Sequence, residues 1–190
     1  MIVQQILDFL EEPREFREIR SLSLWQPYAC LIAMGLKKYE TRSWGTNYRG
    51  LIAIHAAKRP CKIGELTVLL EDFCEIGREA DFRQMEATIK DSTQYGAIVA
   101  VARLDACLKM VDISPKTPFP GEVYIDARSA LEKTVGWWEF GRFAWRLKDV
   151  VAVSPIPYKG HQGIREVIDK DVLSKSAAHP AIERLVSIVS

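Results

Sequence analysis

The feature that most constrains this chain is the octet Gly35-Leu36-Lys37-Lys38-Tyr39-Glu40-Thr41-Arg42, which follows a short apolar segment. A glycine at the end of a helix-like stretch is typical of a helix C-terminus, so the octet leaves a helix and enters a strand. Because side chains alternate along a strand, Glu40 and Arg42 are expected on the same side. The set indicates either an ion pair that holds a loop or a site for a polar ligand. We favour the ligand site, because charges buried without a partner are costly.

Composition places the chain among ordinary globular domains. It has 190 residues, of which 48% are hydrophobic and 27% charged, and this length predicts one domain with a sizeable core. The net charge is +1, so any attraction to nucleic acid must come from local clusters. Residues 21–60 carry six basic residues against one acidic residue, and residues 61–95 carry eight acidic residues against four basic ones. The basic stretch favours phosphate contacts, and the acidic stretch is a candidate docking face for a protein partner.

Several classes of protein and site are disfavoured by the same reading. No apolar run reaches the roughly 18–20 residues of a membrane span, and the N-terminus lacks the features of a signal peptide. Three scattered histidines without neighbouring carboxylates predict no metal site, and no cofactor is expected. The cysteines form no C-x-x-C pair and lie in apolar contexts, which indicates buried free thiols in a reducing cytoplasm; they are Cys30, Cys61, Cys74 and Cys107.

Hydrophobic periodicity predicts an α+β chain in which helices are inserted between strands. Helical spacing predicts an amphipathic helix over 2–12, two helices over 61–90 with a break near Gly77, and a helix over 169–188 interrupted near Pro180. Trp25-Gln26-Pro27 opens a further helix that ends at Gly35. Strands are predicted near 21–24, 48–56, 95–104, 142–153 and 160–167, with Ser154-Pro155-Ile156-Pro157 as a kinked edge connection. This order favours a small barrel with helical additions over a doubly wound sheet.

Four segments together resemble a known family. They are Ser23-Leu24-Trp25-Gln26-Pro27-Tyr28-Ala29, the G-x-K-x-x-E-x-R octet, Tyr48-Arg49-Gly50 and Ile54-His55-Ala56-Ala57-Lys58. In this order they resemble the ASCH domain, and two later segments, 141–145 and 160–163, resemble its bacterial members. The resemblance covers about residues 20–168, which leaves 1–19 as an N-terminal helical extension and 169–190 as a C-terminal helical tail. It implies a PUA-like mixed or antiparallel β-barrel with surrounding and inserted helices, whose cleft binds RNA, a modified base or a nucleotide.

The candidate ligand-binding residues combine the octet, its flanking tryptophans and the basic residues that follow. They are Trp25, Lys37, Glu40, Arg42, Trp44, Arg49, His55, Lys58 and Arg59. Trp25 and Trp44 are interpreted either as stacking surfaces for bases or as core residues. His55 is either a satisfied polar residue on a strand, a contact to a base edge, or a general base. Gln162, between two glycines, is a further candidate for reading a base edge, whereas Trp137, Trp138 and Trp145 are expected in the core.

Three functions remain open from the sequence. The first is binding of RNA or a nucleotide-like small molecule without turnover. The second is a metal-independent hydrolase with Lys37, Glu40 and His55 as catalytic residues, since ASCH relatives include ribonucleases and amidohydrolases that act on acylated cytidine. In those amidohydrolases a threonine is the nucleophile at the position held here by Glu40, so that mechanism does not transfer unaltered. Thr41 is adjacent but is expected to face the opposite side.

The third function is a protein-interaction domain in transcription or translation regulation, which would dock through residues 61–95. The same segment is alternatively a lid over the cleft. The sequence does not decide between these two roles, nor does it specify the base or substrate, the presence of turnover, or the oligomeric state.

Overall fold

The computed structural model describes residues 19–112 and 119–166, which form one mixed β-sheet with helices packed against it. The seven strands are β1 (Arg20–Leu24), β2 (Tyr39–Arg42), β3 (Gly50–Ala56), β4 (Ala97–Val111), β5 (Glu122–Tyr124), β6 (Phe143–Pro157) and β7 (Ile164–Glu166). The helices are α1 (Tyr28–Ala33), α2 (Ile63–Glu75), α3 (Glu79–Ile89) and α4 (Ala130–Val135), with a 3-10 turn at Ser92–Gln94. The mixed α+β class predicted from the sequence is confirmed.

The order of the strands across the sheet is β2-β6-β4-β3-β1-β7, and β5 pairs in parallel with the far end of β4. β1 and β3 are parallel, while the other neighbours along this path are antiparallel. The two outer strands, β2 and β7, are not paired with each other in the described residues. The sheet of this part of the chain is therefore open, and closure into a barrel is not confirmed.

The six-residue helix α1 is buried on two sides, which fixes the position of the octet that follows it. Ala29 and Ile32 pack against the sheet, in the same cluster as Trp145. Cys30 and Leu31 pack instead against α2 and α3. This two-sided burial explains why a helix of so few turns holds its place, since short helices depend on packing more than on their own propensity. The helix ends at Ala33, and Gly35 then turns the chain with a φ of 73°, which suits glycine better than any residue with a Cβ.

Several predicted elements are confirmed. The helix-to-strand transition of the octet is present, and the acidic segment forms α2 and α3 with a break at Gly77, as its pattern predicts. Trp145 is fully buried in the sheet core. The predicted helices over 2–12 and 169–188 lie outside the described residues, so the proposed domain boundaries remain predictions.

Other predictions are wrong. The segment 154–157, predicted as a kinked connection, belongs to β6, where Ile156 and Pro157 pair with β4. Prolines are tolerated there because β2 pairs only with 143–146, so this half of β6 has β4 as its single described neighbour. Trp137, expected in the core, is 66% exposed with Arg142 over its ring, and Cys74 is exposed rather than buried.

Candidate functional site

A cleft of about 1420 Å³ opens where β1, β2, β3 and β6 meet the loop 158–163. Its lining residues are Ser23, Leu24, Trp25, Tyr28, Glu40, Arg42, Trp44, His55, Ala57, Lys58, Tyr95, Gly96, Pro157, Tyr158, Lys159, Gly160, His161, Gln162 and Gly163. Six of the nine predicted ligand-binding residues are among them, namely Trp25, Glu40, Arg42, Trp44, His55 and Lys58. The other three, Lys37, Arg49 and Arg59, are not lining residues.

Glu40 and Arg42 form an ion pair at the cleft wall. They lie on the same side of β2, as predicted, with Arg42 Nε 2.9 Å from Glu40 Oε1. Arg42 Nη2 also donates to the carbonyl of Ser23 on β1, at 3.2 Å. Arg42 therefore links two strands that do not pair with each other, and it leaves Glu40 as a buried acceptor at the edge of the cleft.

Lys37 lies beneath this ion pair and does not face the cleft. Its Nζ donates to the carbonyl of Val135 in α4 at 2.6 Å and lies 3.7 Å from Glu40 Oε2, and the residue is 2% exposed. Burial lowers the pKa of Lys37, while the nearby carboxylates of Glu40 and Glu132 act in the opposite direction. The expectation that Lys37 meets the charge of a ligand does not fit this position. It supports Glu40 from behind.

Three aromatic side chains are exposed around the same wall. Trp25 is 57% exposed, and Trp44 and Tyr28 are each 40% exposed. Trp44 packs edge-on against the buried ring of Trp145, with 4.6 Å between ring centroids. Trp25 and Trp44 are therefore not core residues, and their rings are accessible at the cleft.

Arg59 and Arg49 are held outside the cleft. The guanidinium of Arg59 lies 4.2 Å from the centroid of the Trp25 ring and bonds Glu65 of α2 at 2.5 Å. Arg49 is exposed and donates to the carbonyls of Thr46 and Tyr48. Arg59 therefore orients Trp25 instead of lining the cleft itself.

His55 is buried, and both of its ring nitrogens have partners. Nδ1 lies 3.0 Å from Ser23 Oγ, and Nε2 lies 3.1 Å from the carbonyl of Tyr158. A Cβ added at Gly160 would overlap the His55 ring and come within 2.7 Å of Ser23 Oγ, so only glycine fits against this pair. The predicted role as a satisfied polar residue is met, and the same contacts place His55 in the cleft wall.

Positive charge at the cleft comes from two lysines in addition to Arg42. Lys58 follows β3, and its side chain lies across Gly96. Lys159 lines the cleft from the loop after β6. No residue of α2 or α3 lines the cleft, and Tyr95 is the one lining residue from the acidic segment 61–95.

Sequence reasoning missed one whole wall of the cleft. Tyr158, Lys159, Gly160 and His161 contribute to it, and the sequence analysis singled out only Gln162 from this stretch as a ligand contact. The G-x-x-G spacing around His161 was a signal that a loop with special backbone needs lies here. Ser23, Tyr28 and Tyr95 were also missed, because a serine or tyrosine in a strand or helix has no distinctive pattern of its own.

The protonation of His55 makes folding depend on pH. Burial lowers its pKa below the ordinary value of 6.5, so the unfolded chain takes up a proton at a pH where the folded chain does not. The contribution of neutral His55 to the free energy of unfolding is therefore fully present above pH 6.5 and decreases as the pH falls below it. We expect the melting temperature to fall less between pH 7 and pH 5 in His55→Asn than in the wild type, measured by circular dichroism. Equal decreases in the two proteins would contradict the expectation.

Residues 19–112 and 119–166 contain neither a cluster of metal-binding side chains nor a membrane-spanning helix. No group of three or more histidine, cysteine, aspartate or glutamate side chains is arranged to hold a metal ion. None of the helices is both long enough and apolar enough to cross a membrane.

A known protein family matches most of the segments that build the cleft. The family model of the ASCH domain matches residues 22–119, more than half of the chain. This range includes the octet and every lining residue up to Gly96, whereas the wall formed by 157–163 lies beyond it. No curated protein matches the chain. The match and the order of its motifs show that this chain belongs to the ASCH domain family.

Proposed function

We propose that the cleft binds single-stranded RNA or a nucleotide, with a base against the aromatic wall and phosphate towards the lysines. The ASCH domain is generally associated with RNA binding. The observation that carries the proposal is the carboxylate of Glu40, held between Lys37 and Arg42 at a cleft that also exposes Trp25 and Trp44. The two strands that would close a PUA-like barrel are not paired in the described residues. The barrel is therefore part of the proposal and not of the observed fold.

Glu40 is suited to recognise the hydrogen-bond donors on the edge of a base. An ionised carboxylate only accepts hydrogen bonds, so its partner on a ligand is an N–H group such as those of guanine, adenine or cytosine. Hydrogen bonds to charged groups contribute about 1.5–3 kcal/mol. Because Lys37 and Arg42 hold the carboxylate in place, little reorganisation is needed when the ligand binds.

The aromatic side chains would contact the face of the base, and the lysines would contact the phosphate. Stacking on an exposed aromatic ring contributes about 1–3 kcal/mol per base and tolerates any sequence. Lys58 and Lys159 both line the cleft, where they favour contacts with phosphate groups. The volume of about 1420 Å³ exceeds the 300–1000 Å³ typical of small-molecule pockets, which favours a ligand longer than one nucleotide.

Substitution of Glu40 by glutamine separates base recognition from attraction to phosphate. The change removes a negative charge, so a protein that only attracts phosphate would bind RNA more tightly. Recognition through the carboxylate predicts the opposite, a Kd raised by about 10- to 100-fold. The measurement is fluorescence anisotropy with a labelled decanucleotide pool, followed by competition with the four nucleoside monophosphates.

Glu71→Gln is the matched control, because Glu71 is an exposed acid on α2 away from the cleft. It removes the same charge and should leave the Kd within about twofold. Circular dichroism checks that both variants are folded. Equal or tighter binding by Glu40→Gln would overturn the proposal.

The structure bears differently on the hydrolase and on the protein-docking function that the sequence leaves open. The metal-independent hydrolase with Lys37, Glu40 and His55 as catalytic residues remains a prediction. Thr41 faces away from the cleft, as expected, since its hydroxyl accepts a hydrogen bond from the backbone N–H of Trp137 and the residue does not line the cleft. Docking of a protein partner through residues 61–95 remains a prediction, although Glu79 and Glu86 are already paired with basic residues of α3 and its end. A cytoplasmic location also remains a prediction.

A further inference from the structure

Ser23 and His55 form a hydrogen-bonded pair in the wall of the cleft. They are direct neighbours in the register of the parallel strands β1 and β3, so their side chains project to the same face. Ser23 Oγ lies 3.0 Å from His55 Nδ1, and both residues line the cleft. A nucleophile within hydrogen-bond reach of a base, and a base oriented by a third group, is the arrangement that activates serine in covalent catalysis.

The contacts of the ring decide which nitrogen carries the proton. A backbone carbonyl can only accept a hydrogen bond, so the contact with Tyr158 requires a proton on Nε2. In the neutral ring this leaves a lone pair on Nδ1, and the hydroxyl of Ser23 is the donor in contact with it. The proton of Ser23 is therefore directed at a base. Burial, which lowers the pKa of His55, keeps the ring neutral and able to accept that proton at neutral pH.

We propose that Ser23 is a nucleophile activated by His55, and that the cleft hydrolyses carboxylic esters by way of an acyl-Ser23 intermediate. Ser23 Oγ attacks the carbonyl carbon while its proton moves to Nδ1. The bond from the carbonyl carbon to the leaving oxygen then breaks, and the leaving alcohol takes the proton from Nδ1. Water attacks the acyl group, Nδ1 accepts its proton and returns it to Ser23 Oγ, and a carboxylic acid is released.

The neighbouring groups stabilise the charges that arise in these steps. When Nδ1 takes the proton, the imidazolium keeps its hydrogen bond from Nε2 to the carbonyl of Tyr158. Arg42 donates to the carbonyl of Ser23, so a guanidinium lies beside the attacking residue, where it favours a developing oxyanion. Gly160 leaves room for nothing larger than hydrogen against the pair, which keeps the ring and the hydroxyl in contact.

Covalent labelling tests this inference without knowledge of the natural ester. Diisopropyl fluorophosphate forms a bond from phosphorus to an activated serine oxygen and releases fluoride. We expect a mass increase on the peptide that contains Ser23 in the wild type, and none on that peptide in Ser23→Ala. General-base assistance contributes about 10²–10⁴-fold, so His55→Gln should label at least roughly 100-fold more slowly. Ser43→Ala, at an exposed serine outside the cleft lining, should label like the wild type.

Turnover of p-nitrophenyl acetate provides a second measurement. The wild type should release p-nitrophenol with a burst followed by steady turnover, and Ser23→Ala should lose both phases. Melting curves establish that the variants are folded, and if His55→Gln does not fold, the comparison of the wild type with Ser23→Ala decides. The inference is overturned if Ser23 of the wild type is not labelled, or if His55→Gln is labelled at Ser23 as fast as the wild type.

This inference shares the cleft and Arg42 with the proposed function, but its nucleophile and base are Ser23 and His55, whereas base recognition depends on Glu40. If Glu40→Gln weakens RNA binding and Ser23 is not labelled, the proposed function stands and the nucleophile assignment fails. If Ser23 is labelled and RNA does not bind, the reverse holds.

Discussion

Substitution of Lys37 by methionine is expected to lower the free energy of unfolding by about 3–5 kcal/mol, the usual cost of removing one partner from a buried charge pair. Methionine has nearly the same length but no donor. The carbonyl of Val135 would lose the hydrogen bond from Nζ, and Glu40 would keep Arg42 as its single cationic neighbour among the described residues. Urea denaturation with linear extrapolation gives the free energy.

Lys38 is the matched control, because it is the next residue and is exposed. Lys38→Met should change the free energy of unfolding by no more than about 0.5 kcal/mol. The double variant with Lys37→Met and Glu40→Gln also removes the buried carboxylate that has lost its lysine partner, so part of the lost stability should return. If Lys37→Met and Lys38→Met have the same stability, Lys37 does not hold Glu40 in the way its contacts indicate.

Substitution of Gly160 by alanine is expected to lower the free energy of unfolding by about 1–3 kcal/mol and to weaken RNA binding as well. The added methyl group would occupy the space of the His55 ring, so the loop 158–163 must move away from β3. The hydrogen bond from His55 to Tyr158 would then lengthen or break, and Lys159 would leave its position on the cleft wall. Urea denaturation and RNA anisotropy measure the two effects.

Gly64→Ala is the control for this substitution. Gly64 lies in α2, where an added Cβ meets nothing within 4 Å, and alanine favours a helix over glycine. We expect no loss of stability and no change in RNA affinity there. Wild-type behaviour of Gly160→Ala would show that the loop adapts without cost and that the wall of the cleft is not fixed by this contact.

The first half of the cleft could be predicted because its determinants are local. The alternation at Leu22 and Leu24, the proline-led helix and the stop at Gly35 each depend on a few neighbouring residues, and the ion pair of Glu40 with Arg42 follows from the period of a strand. β5 and α4 were missed, because three and six residues are too few for a period to be recognised. The helix α1 is equally short, and it was predicted from its leading proline and following glycine instead.

The hydrogen-bond partners of Lys37 and His55 could not be predicted, because each partner lies far along the chain. The acceptor of Lys37 is a backbone carbonyl 98 residues away, and that of His55 is 103 residues away. A backbone carbonyl is present at every residue, so no sequence pattern marks the one that will be used. Nothing in the octet itself distinguishes a lysine that faces a ligand from one that lies under a glutamate.

The position of β6 between β2 and β4 has a consequence for how this molecule is made. In the described residues, β2 has no neighbour in the sheet other than β6, so Glu40 and Arg42 have no fixed place until 143–146 are available. The opposite wall is completed only by 157–163. A ribosome that has released the whole family-matched stretch, 22–119, has therefore not yet delivered a competent cleft. During translation, Glu40 and Arg42 therefore reach their final contacts only after residues 143–163 have been made.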